Sequence, residues 1–171
     1  MEEKLEKYSI EVIDKNERIE SLIGELKKVW EASVRATHHF LSESDIAELK
    51  PQAEVGLRYI DILWVVCQKD TQEPVGFMGI QDRKIEMLFL HPAHFRKGLG
   101  RKLVQQAFDE LDVEYVDVNE QNPEAKRFYE RMGFEVFKRN ELDSEGRAFP
   151  ILEMKRKASF TSSEIPRDVR A

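Results

Sequence analysis

The chain contains 171 residues, the length of one ordinary domain, and its 27 Lys and Arg against 33 Asp and Glu give a net charge of −6. That balance argues against a general nucleic-acid binder, and the single cysteine, Cys67, excludes both an internal disulfide and a multi-cysteine metal site. The N-terminus has no signal-peptide core, and the longest apolar run, residues 62–67, is too short to span a bilayer. We therefore expect a cytoplasmic protein with no membrane partner.

The first half of the chain is predicted to form one strand, two helices and three further strands. Alternating apolar residues indicate a strand at 8–13. Helical spacing follows from about residue 17 to 37, and again after residues 42–44, where Ser44 is the expected N-cap. β-Branched and aromatic residues predict strands at 60–67, 75–80 and 85–90.

The second half begins with a helix that includes residues 99–111, followed by a strand at 113–118. A short helix then starts at Asn122-Pro123 and ends at Gly133, and strands are predicted at 134–137 and 151–154. The serine-rich residues 158–171 are expected to be a weakly packed tail beyond a domain of residues 8–157. Strand, helix and strand over residues 85–118 imply a parallel crossover between antiparallel hairpins, which predicts an α/β (α+β) fold with a mixed sheet and helices on both faces.

A glycine-containing segment, FRKGLG at residues 95–100, separates a predicted strand from the start of a helix. Gly98 and Gly100 let backbone amides approach a ligand, and a helix N-terminus favours a phosphate. Alone, such a segment is more often an ordinary loop; Leu103 replaces the third glycine of a dinucleotide-binding motif, and the P-loop sequence is absent. The cations around the segment are Arg96, Lys97, Arg101 and Lys102.

A second segment, NEQNPEAKRFYERMGF at residues 119–134, favours a ligand site over an ordinary loop at residues 95–100. The two segments together resemble the GNAT acetyltransferase superfamily. That family combines a Gln/Arg-x-x-Gly-x-Gly/Ala loop with an Asn-x-x-Ala-x-x-Phe-Tyr-x-x-x-Gly-Phe segment. The second pattern is matched in full, by Asn122, Ala125, Phe128, Tyr129, Gly133 and Phe134. Phe95 stands where the family has Gln or Arg, so phosphate binding is expected from the backbone amides, with Arg96 in place of the usual side-chain contact. The stretch ATHHFLS is also similar to a group of small bacterial acetyltransferases.

The resemblance implies a mostly antiparallel sheet of about seven strands, with four helices and the central strands splayed in a V. It also implies acetyl-CoA as co-substrate and transfer of the acetyl group to a primary amine by direct attack in a ternary complex. Tyr129 would be the general acid that protonates the departing sulfur. The implied acetyl-CoA contacts are Leu88, Phe89, Leu90, Phe95, Arg96, Lys97, Gly98, Leu99, Gly100, Arg101, Asn119 and Asn122.

The candidate general base is Glu86, which strand alternation places on the same face as Leu88 and Leu90. Partial burial there would raise the pKa of the carboxyl group toward a useful range. His38 and His39 follow the first long helix, where the family builds its substrate cleft, and are candidates for contacting the acceptor or acting as base. Water is the third alternative for the base.

Simpler interpretations stay open for these residues. Tyr129 could be a core aromatic residue, Asn119 or Asn122 could only cap a helix, and Glu86 could pair with a neighbouring cation. His91 and His94 form H-P-x-H, but because no third ligand is near in sequence we expect no metal site.

The sequence does not identify the acceptor, which is a small-molecule amine or a protein amine. The net negative charge would favour a cationic acceptor if it extends to the acceptor cleft. Two other functions compete with the enzyme: a non-catalytic CoA-binding sensor and a protein-interaction domain without a cofactor. Homodimers are common in the family, although no residue here indicates one.

Overall fold

The structure is a computed structural model that describes residues 2–170, with side chains from residue 4 onward. Over these residues the helices are α1 Glu2–Leu5, α2 Glu20–Thr37, α3 Glu43–Tyr59, α4 Leu99–Leu111 and α5 Pro123–Arg131. The strands are β1 Tyr8–Val12, β2 Ile62–Gln68, β3 Pro74–Gln81, β4 Lys84–Leu90, β5 Tyr115–Asn119, β6 Phe134–Asn140 and β7 Ile151–Arg156. The strands form one sheet in the order β1-β2-β3-β4-β5-β7-β6. From β1 to β7 the predicted order of long helices and strands and the mixed, mostly antiparallel sheet are confirmed, whereas α1 was not predicted.

One predicted helix start is wrong by two residues. The N-cap of α3 is Ser42, not Ser44: its hydroxyl accepts from the Asp45 amide at 3.1 Å, and the Asp45 carboxylate accepts from the Ser42 amide at 2.7 Å. This reciprocal capping box satisfies two amides that the helix cannot pair internally. Ser44 therefore lies inside the first turn of α3.

The chain divides into two compact units, of which the first contains the residues up to Gln81 together with Glu86–Lys97. Here β2 pairs with β1 and with β3 in antiparallel register, and α2 and α3 cover a buried apolar cluster. That cluster includes Trp30, Leu57, Cys67 and Phe77. Each such side chain contributes about 1.5–3 kcal/mol by leaving water.

A buried arginine fastens the end of α3 in this unit. Arg18 is 6% exposed and donates hydrogen bonds to the carbonyl oxygens of Leu57, Arg58 and Ile60, at 3.3, 3.1 and 2.6 Å. The last carbonyls of a helix have no partner within it, so the guanidinium takes the place of a C-terminal cap. Burial lowers the pKa of Arg18, and Asp14 and Asp61 oppose that shift.

The second unit contains Asp82–Ile85 and the residues from Gly98 onward. Its parallel pairing of β4 with β5 comprises Lys84–Tyr115 and Ile85–Val116, whereas β5 and β7 pair in antiparallel register along all of β5. The outermost strand, β6, pairs with β7. Gly133 directly after the C-cap of α5 has a φ of +94°, which confirms the glycine stop that the sequence predicts.

The expectation of a weakly packed C-terminal tail is wrong. Ile165 and Val169 are 3% and 1% exposed, and a Cβ added to Gly133 would lie 2.3 Å from the Phe160 ring. The Arg101 side chain donates to the carbonyl oxygens of Pro166 and Ile165, at 3.1 and 3.4 Å. The serine-rich composition concealed three apolar residues that pack within the second unit, so this segment is part of the fold.

No helix in the described part of the chain is long and apolar enough to cross a membrane.

Candidate active site

Two hydrogen bonds hold the turn that follows β4: one between backbone groups and one from a buried tyrosine. The His91 amide donates to the Val75 carbonyl at 2.7 Å, and residues Pro92–His94 form one 3-10 turn. The Tyr8 hydroxyl lies 2.8 Å from His94 Nδ1. Two residues later Arg96 has a φ of +59°, a left-handed conformation that costs a non-glycine residue roughly 1–2 kcal/mol. The arrangement fixes the backbone just before the predicted phosphate loop.

The start of α4 has the properties of an anion site. Gly98 is its N-cap, with a φ of +87° that favours glycine, and no side chain of the described residues caps the first amides of the helix. The first turn also contains no acidic residue. Free amides, the positive end of the helix dipole and the neighbouring Lys102 therefore favour an anion such as a phosphate.

The Arg101 side chain contacts the C-terminal segment and its own helix, and its phosphate contact stays a prediction. Its Nε and Nη2 atoms donate to the carbonyls of Pro166 and Ile165, and its Nη1 donates to Gln105 at 3.2 Å. The guanidinium thus holds α4 to the C-terminal segment. Arg96 is exposed and Lys97 is half-buried.

Asn119 and Asn122 shape the turn from β5 into α5. The Asn119 carboxamide accepts from the Gln121 amide at 3.0 Å, and the Asn122 carboxamide accepts from the Ala125 amide at 3.2 Å. Asn122 is followed by Pro123 at the first helical position, where the missing amide costs nothing. Asn122 therefore has the helix-capping role that the sequence left open, whereas Asn119 forms an Asx turn before the helix. Each asparagine retains a carboxamide NH₂ group as a potential donor.

Tyr129 lies on α5, seven residues after its N-cap, and is 7% exposed. Its ring packs edge-on against Phe134, with centroids 5.8 Å apart. Burial raises the pKa of the phenol above its usual range, because the phenolate would lose its hydration. Tyr129 is therefore a protonated donor throughout the pH range in which an enzyme works.

β4 carries the predicted thioester contacts and the predicted base. Leu88 and Phe89 are half-buried and Leu90 is buried, whereas Glu86 is exposed. The expected partial burial of Glu86 is therefore wrong, because this residue lies on the open part of its strand. Any basic role for Glu86 has to work with a carboxylate that contacts solvent.

His38, at the end of α2, is half-buried. Its Nδ1 lies 2.7 Å from Thr37 Oγ1, whose single proton is donated to the Ser33 carbonyl, also at 2.7 Å. The ring must therefore donate from Nδ1, which leaves Nε2 as its acceptor atom. Burial lowers the pKa of His38 to about 4, with His39 adding to the shift.

Aromatic rings surround this neutral imidazole. The His38 ring centroid lies 5.5 Å from that of Phe40 and 6.4 Å from that of Phe89 on β4. His39, by contrast, is exposed. The structure thus brings one of the two predicted histidines beside the predicted thioester strand.

Comparison with known proteins finds relatives that match most of the chain. The sequence profile of the acetyltransferase (GNAT) domain matches residues 60–136. Two relatives are each named peptidyl-lysine N-acetyltransferase YjaB. The one from Salmonella typhimurium is 39% identical over 126 residues, 74% of this chain and 86% of the relative. The one from Escherichia coli is 38% identical over 130 residues, 76% of this chain and 87% of the relative.

The chain belongs to the GNAT acetyltransferase family. The solution structure of apo YjaB from Escherichia coli has the same fold, with a TM-score of 0.74 and 35% identity over 86% of this chain and 96% of that one. The predicted family, the similarity to small bacterial acetyltransferases and the N-acetyltransferase activity are confirmed. Members of the GNAT family use acetyl-CoA.

Sequence reasoning missed Tyr8 and Thr37 in this GNAT chain. Tyr8 contacts His94 across 86 positions of sequence, and no local pattern connects two such residues. Thr37 stands beside His38 at the end of a predicted helix, where a hydroxyl bonded to a carbonyl one turn earlier is a recurring arrangement. That local signal could have predicted the tautomer of His38.

Cys67 is buried in β2, and burial raises the pKa of its thiol. Among the described residues, no three His, Cys, Asp or Glu side chains lie close enough together to hold a metal ion.

Proposed function

We propose that this protein acetylates lysine side chains of proteins in the cytoplasm, by direct transfer from acetyl-CoA in a ternary complex. The observation that carries the proposal is the structure of the Asn-x-x-Ala-x-x-Phe-Tyr segment. Asn122 caps α5, and Tyr129, seven residues later, is buried with a raised pKa that favours the protonated phenol. The lysine acceptor is supported by two YjaB relatives, named as peptidyl-lysine N-acetyltransferases, that match over most of their length.

The co-substrate is proposed to bind with its pyrophosphate on residues 95–100. The uncapped amides after Gly98 donate to the phosphate oxygens, and Arg96 and Lys97 add charge. Backbone amides replace the side-chain contact that Phe95 cannot make. Asn119 and Asn122 donate from their NH₂ groups to the pantetheine arm while their oxygen atoms remain engaged in the turn.

The thioester is proposed to lie along β4, where backbone groups of Leu88, Phe89 and Leu90 pair with the pantetheine arm. A backbone amide on this segment would donate to the carbonyl oxygen of the thioester. As the amine attacks, that oxygen becomes negative, so a fixed donor stabilises the tetrahedral intermediate more than the substrate.

The acceptor amine needs to lose a proton, since a free alkylamine has a pKa of about 10.4. We propose that Glu86 accepts this proton through water, which suits its exposed position. The lone pair on His38 Nε2 accepts a hydrogen bond from the amine and orients it, and the exposed His39 contacts the acceptor farther out. A neutral His38 orients the amine without repelling it.

Collapse of the intermediate breaks the carbon–sulfur bond and leaves negative charge on the sulfur. Tyr129 is proposed to donate its phenolic proton there, so that CoA departs as a thiol. Tyr129 regains a proton from water, to which Glu86 releases the proton taken from the amine.

The direct test is acetyl transfer to a lysine-containing peptide with a blocked N-terminus. The matched control peptide replaces lysine with arginine, which keeps the charge and removes the nucleophile. Free lysine and a polyamine serve as small-amine acceptors. We expect acetylation of the lysine peptide with the highest kcat/KM, and none of the arginine peptide.

Higher kcat/KM for a small amine than for every lysine peptide would contradict the protein acceptor. Acetyl-CoA binding measured by calorimetry tests the co-substrate separately. Tight binding with no turnover on any acceptor would instead indicate a CoA-binding sensor.

A further inference from the structure

A hydrogen bond joins β1 to the residue directly before the predicted phosphate loop, residues 95–100. Tyr8 is 6% exposed, and its hydroxyl lies 2.8 Å from His94 Nδ1. The two rings meet edge-on, with centroids 5.6 Å apart at 84°. Tyr8 is fixed in turn by the pairing of β1 with β2, where it lies opposite Gln68. Tyr8, the more buried residue of the pair, is therefore held in place by the sheet.

The segment that His94 joins has a demanding backbone conformation. Phe95 is extended, Arg96 has a φ of +59° and Gly98 has a φ of +87°. Glycine accepts such a value without strain, but Arg96 does not, so the surrounding structure must maintain it. His94 is two residues from Arg96, and its own amide donates to the His91 carbonyl at 2.9 Å. The imidazole is thus the side-chain anchor next to the strained position.

We propose that Tyr8 and His94 form a positioning pair that sets the conformation of residues 95–98 for binding the pyrophosphate of acetyl-CoA. The inference rests on the proposed co-substrate site and adds two residues to it. Neither residue needs to contact the ligand. Tyr8 acts through His94, and His94 acts through the backbone of Arg96 and Gly98.

Two alternative roles for the pair are weaker. A metal site would require further ligands, and the described residues contain no group of three His, Cys, Asp or Glu side chains suited to one. A purely structural role would leave no reason to place a buried hydroxyl against the turn that contains the left-handed Arg96. A phenylalanine in place of Tyr8 would fill the same space without needing a partner.

The test compares two thioesters that differ in whether they carry the pyrophosphate. Acetyl-CoA contains it, whereas S-acetylpantetheine has the same reacting end without phosphate. Tyr8→Phe is expected to raise the KM for acetyl-CoA about 3–10-fold, the usual effect of one lost hydrogen bond, with kcat within about twofold. The kcat/KM for S-acetylpantetheine should be unchanged.

His94→Asn tests the pair from its more exposed side and remains informative if Tyr8→Phe folds poorly. Because Tyr8 acts through His94, the double variant should raise the KM no further than the stronger single variant. Tyr59→Phe, which removes a hydroxyl from a 69% exposed tyrosine, is the matched control and should leave the KM unchanged.

Equal losses with both thioesters would show a general structural role and overturn the proposal, as would an unchanged KM for acetyl-CoA or additive effects in the double variant. Failure of the proposed co-substrate site would look different. The unmodified protein would then show no binding of acetyl-CoA by calorimetry.

Discussion

The proposed co-substrate side and the proposed acceptor side of this enzyme are built in different ways. The proposed co-substrate side consists of residues 95–100 and the start of α5, and it depends on backbone conformation: Gly98 is left-handed and Asn122 caps a helix. The acceptor side, at the end of α2, depends on side-chain atoms. There one imidazole is held by Thr37 and packed near Phe40 and Phe89.

The difference explains which substitutions each side tolerates. A backbone amide presents the same hydrogen atom whatever side chain follows it, so Phe95 can replace the usual Gln or Arg. An imidazole with one donor and one acceptor atom has no such freedom. Substitutions on the co-substrate side should therefore act through backbone strain, and those on the acceptor side through the loss of single atoms.

The largest expected effect comes from Tyr129, the proposed general acid. Tyr129→Phe removes a hydroxyl and keeps the ring that packs on Phe134. We expect kcat to fall by about 10²–10⁴-fold, the usual contribution of a general acid, with the KM for acetyl-CoA within about twofold. Steady-state kinetics at pH 7–8 measures both constants, and Tyr59→Phe is the control. A kcat within threefold of the unmodified enzyme would remove Tyr129 from the chemistry.

The next effect tests whether His38 stays neutral because it is buried. Its pKa is about 4 in the folded protein and about 6.5 when unfolded, so the unfolded chain binds the proton more readily. The stabilisation is complete above pH 6.5 and is lost as pH falls toward 4. After allowance for partial exposure it amounts to about 2–3 kcal/mol. Urea unfolding at pH 7, 5.5 and 4 should show this loss.

Two variants separate the atoms of that histidine. His38→Asn retains a donor near Thr37 but lacks the acceptor at Nε2, whereas His38→Gln places an amide oxygen near Nε2. Both should flatten the acid destabilisation. His38→Asn should lower kcat/KM for the acceptor about tenfold and His38→Gln by less. Equal activity of the two variants would show that Nε2 does not orient the amine.

A substitution that strains the backbone provides the corresponding test on the proposed co-substrate side. Gly98→Ala adds a Cβ at a φ of +87°, which costs roughly 1–2 kcal/mol. We expect the KM for acetyl-CoA to rise about 5–30-fold as the turn shifts to relieve this strain, with kcat nearly unchanged. Gly24→Ala is the matched control, because a Cβ there meets nothing within 4 Å. An unchanged KM would show that the left-handed turn is not needed.

The predictability of the two sides from sequence follows from the same contrast. Gly98, Asn122 and Gly133 occupy positions where local geometry requires particular residue types, so their spacing predicted the family, the helix boundaries and the co-substrate loop. The exposure of Glu86 and the enclosure of His38 depend on which elements pack nearby. Periodicity gives the face of a strand but not the depth to which that face is covered.

The packing of the C-terminal segment was not predicted because it depends on long-range contacts. Its serine-rich composition resembles a loose tail, yet Phe160, Ile165 and Val169 pack within the second unit. Three apolar residues in a polar segment form no periodic pattern, and their burial depends on surfaces built from distant parts of the chain. The same reason hides the bond between Tyr8 and His94.

The smallest expected effects come from two cations, Lys97 and Arg101. We expect Lys97 to contribute to ligand binding and Arg101 to contribute to stability. Arg101→Gln removes the donors to Pro166 and Ile165, so the melting temperature should fall by about 1–4 °C while the KM for acetyl-CoA stays within about twofold. Lys97→Gln should do the opposite: it leaves the melting temperature nearly unchanged and raises the KM about 2–5-fold, less so at high salt. If Arg101→Gln raised the KM more than Lys97→Gln, the guanidinium would have to leave the C-terminal segment for the phosphate when the ligand binds. The co-substrate side would then depend on a mobile side chain as well as on its backbone.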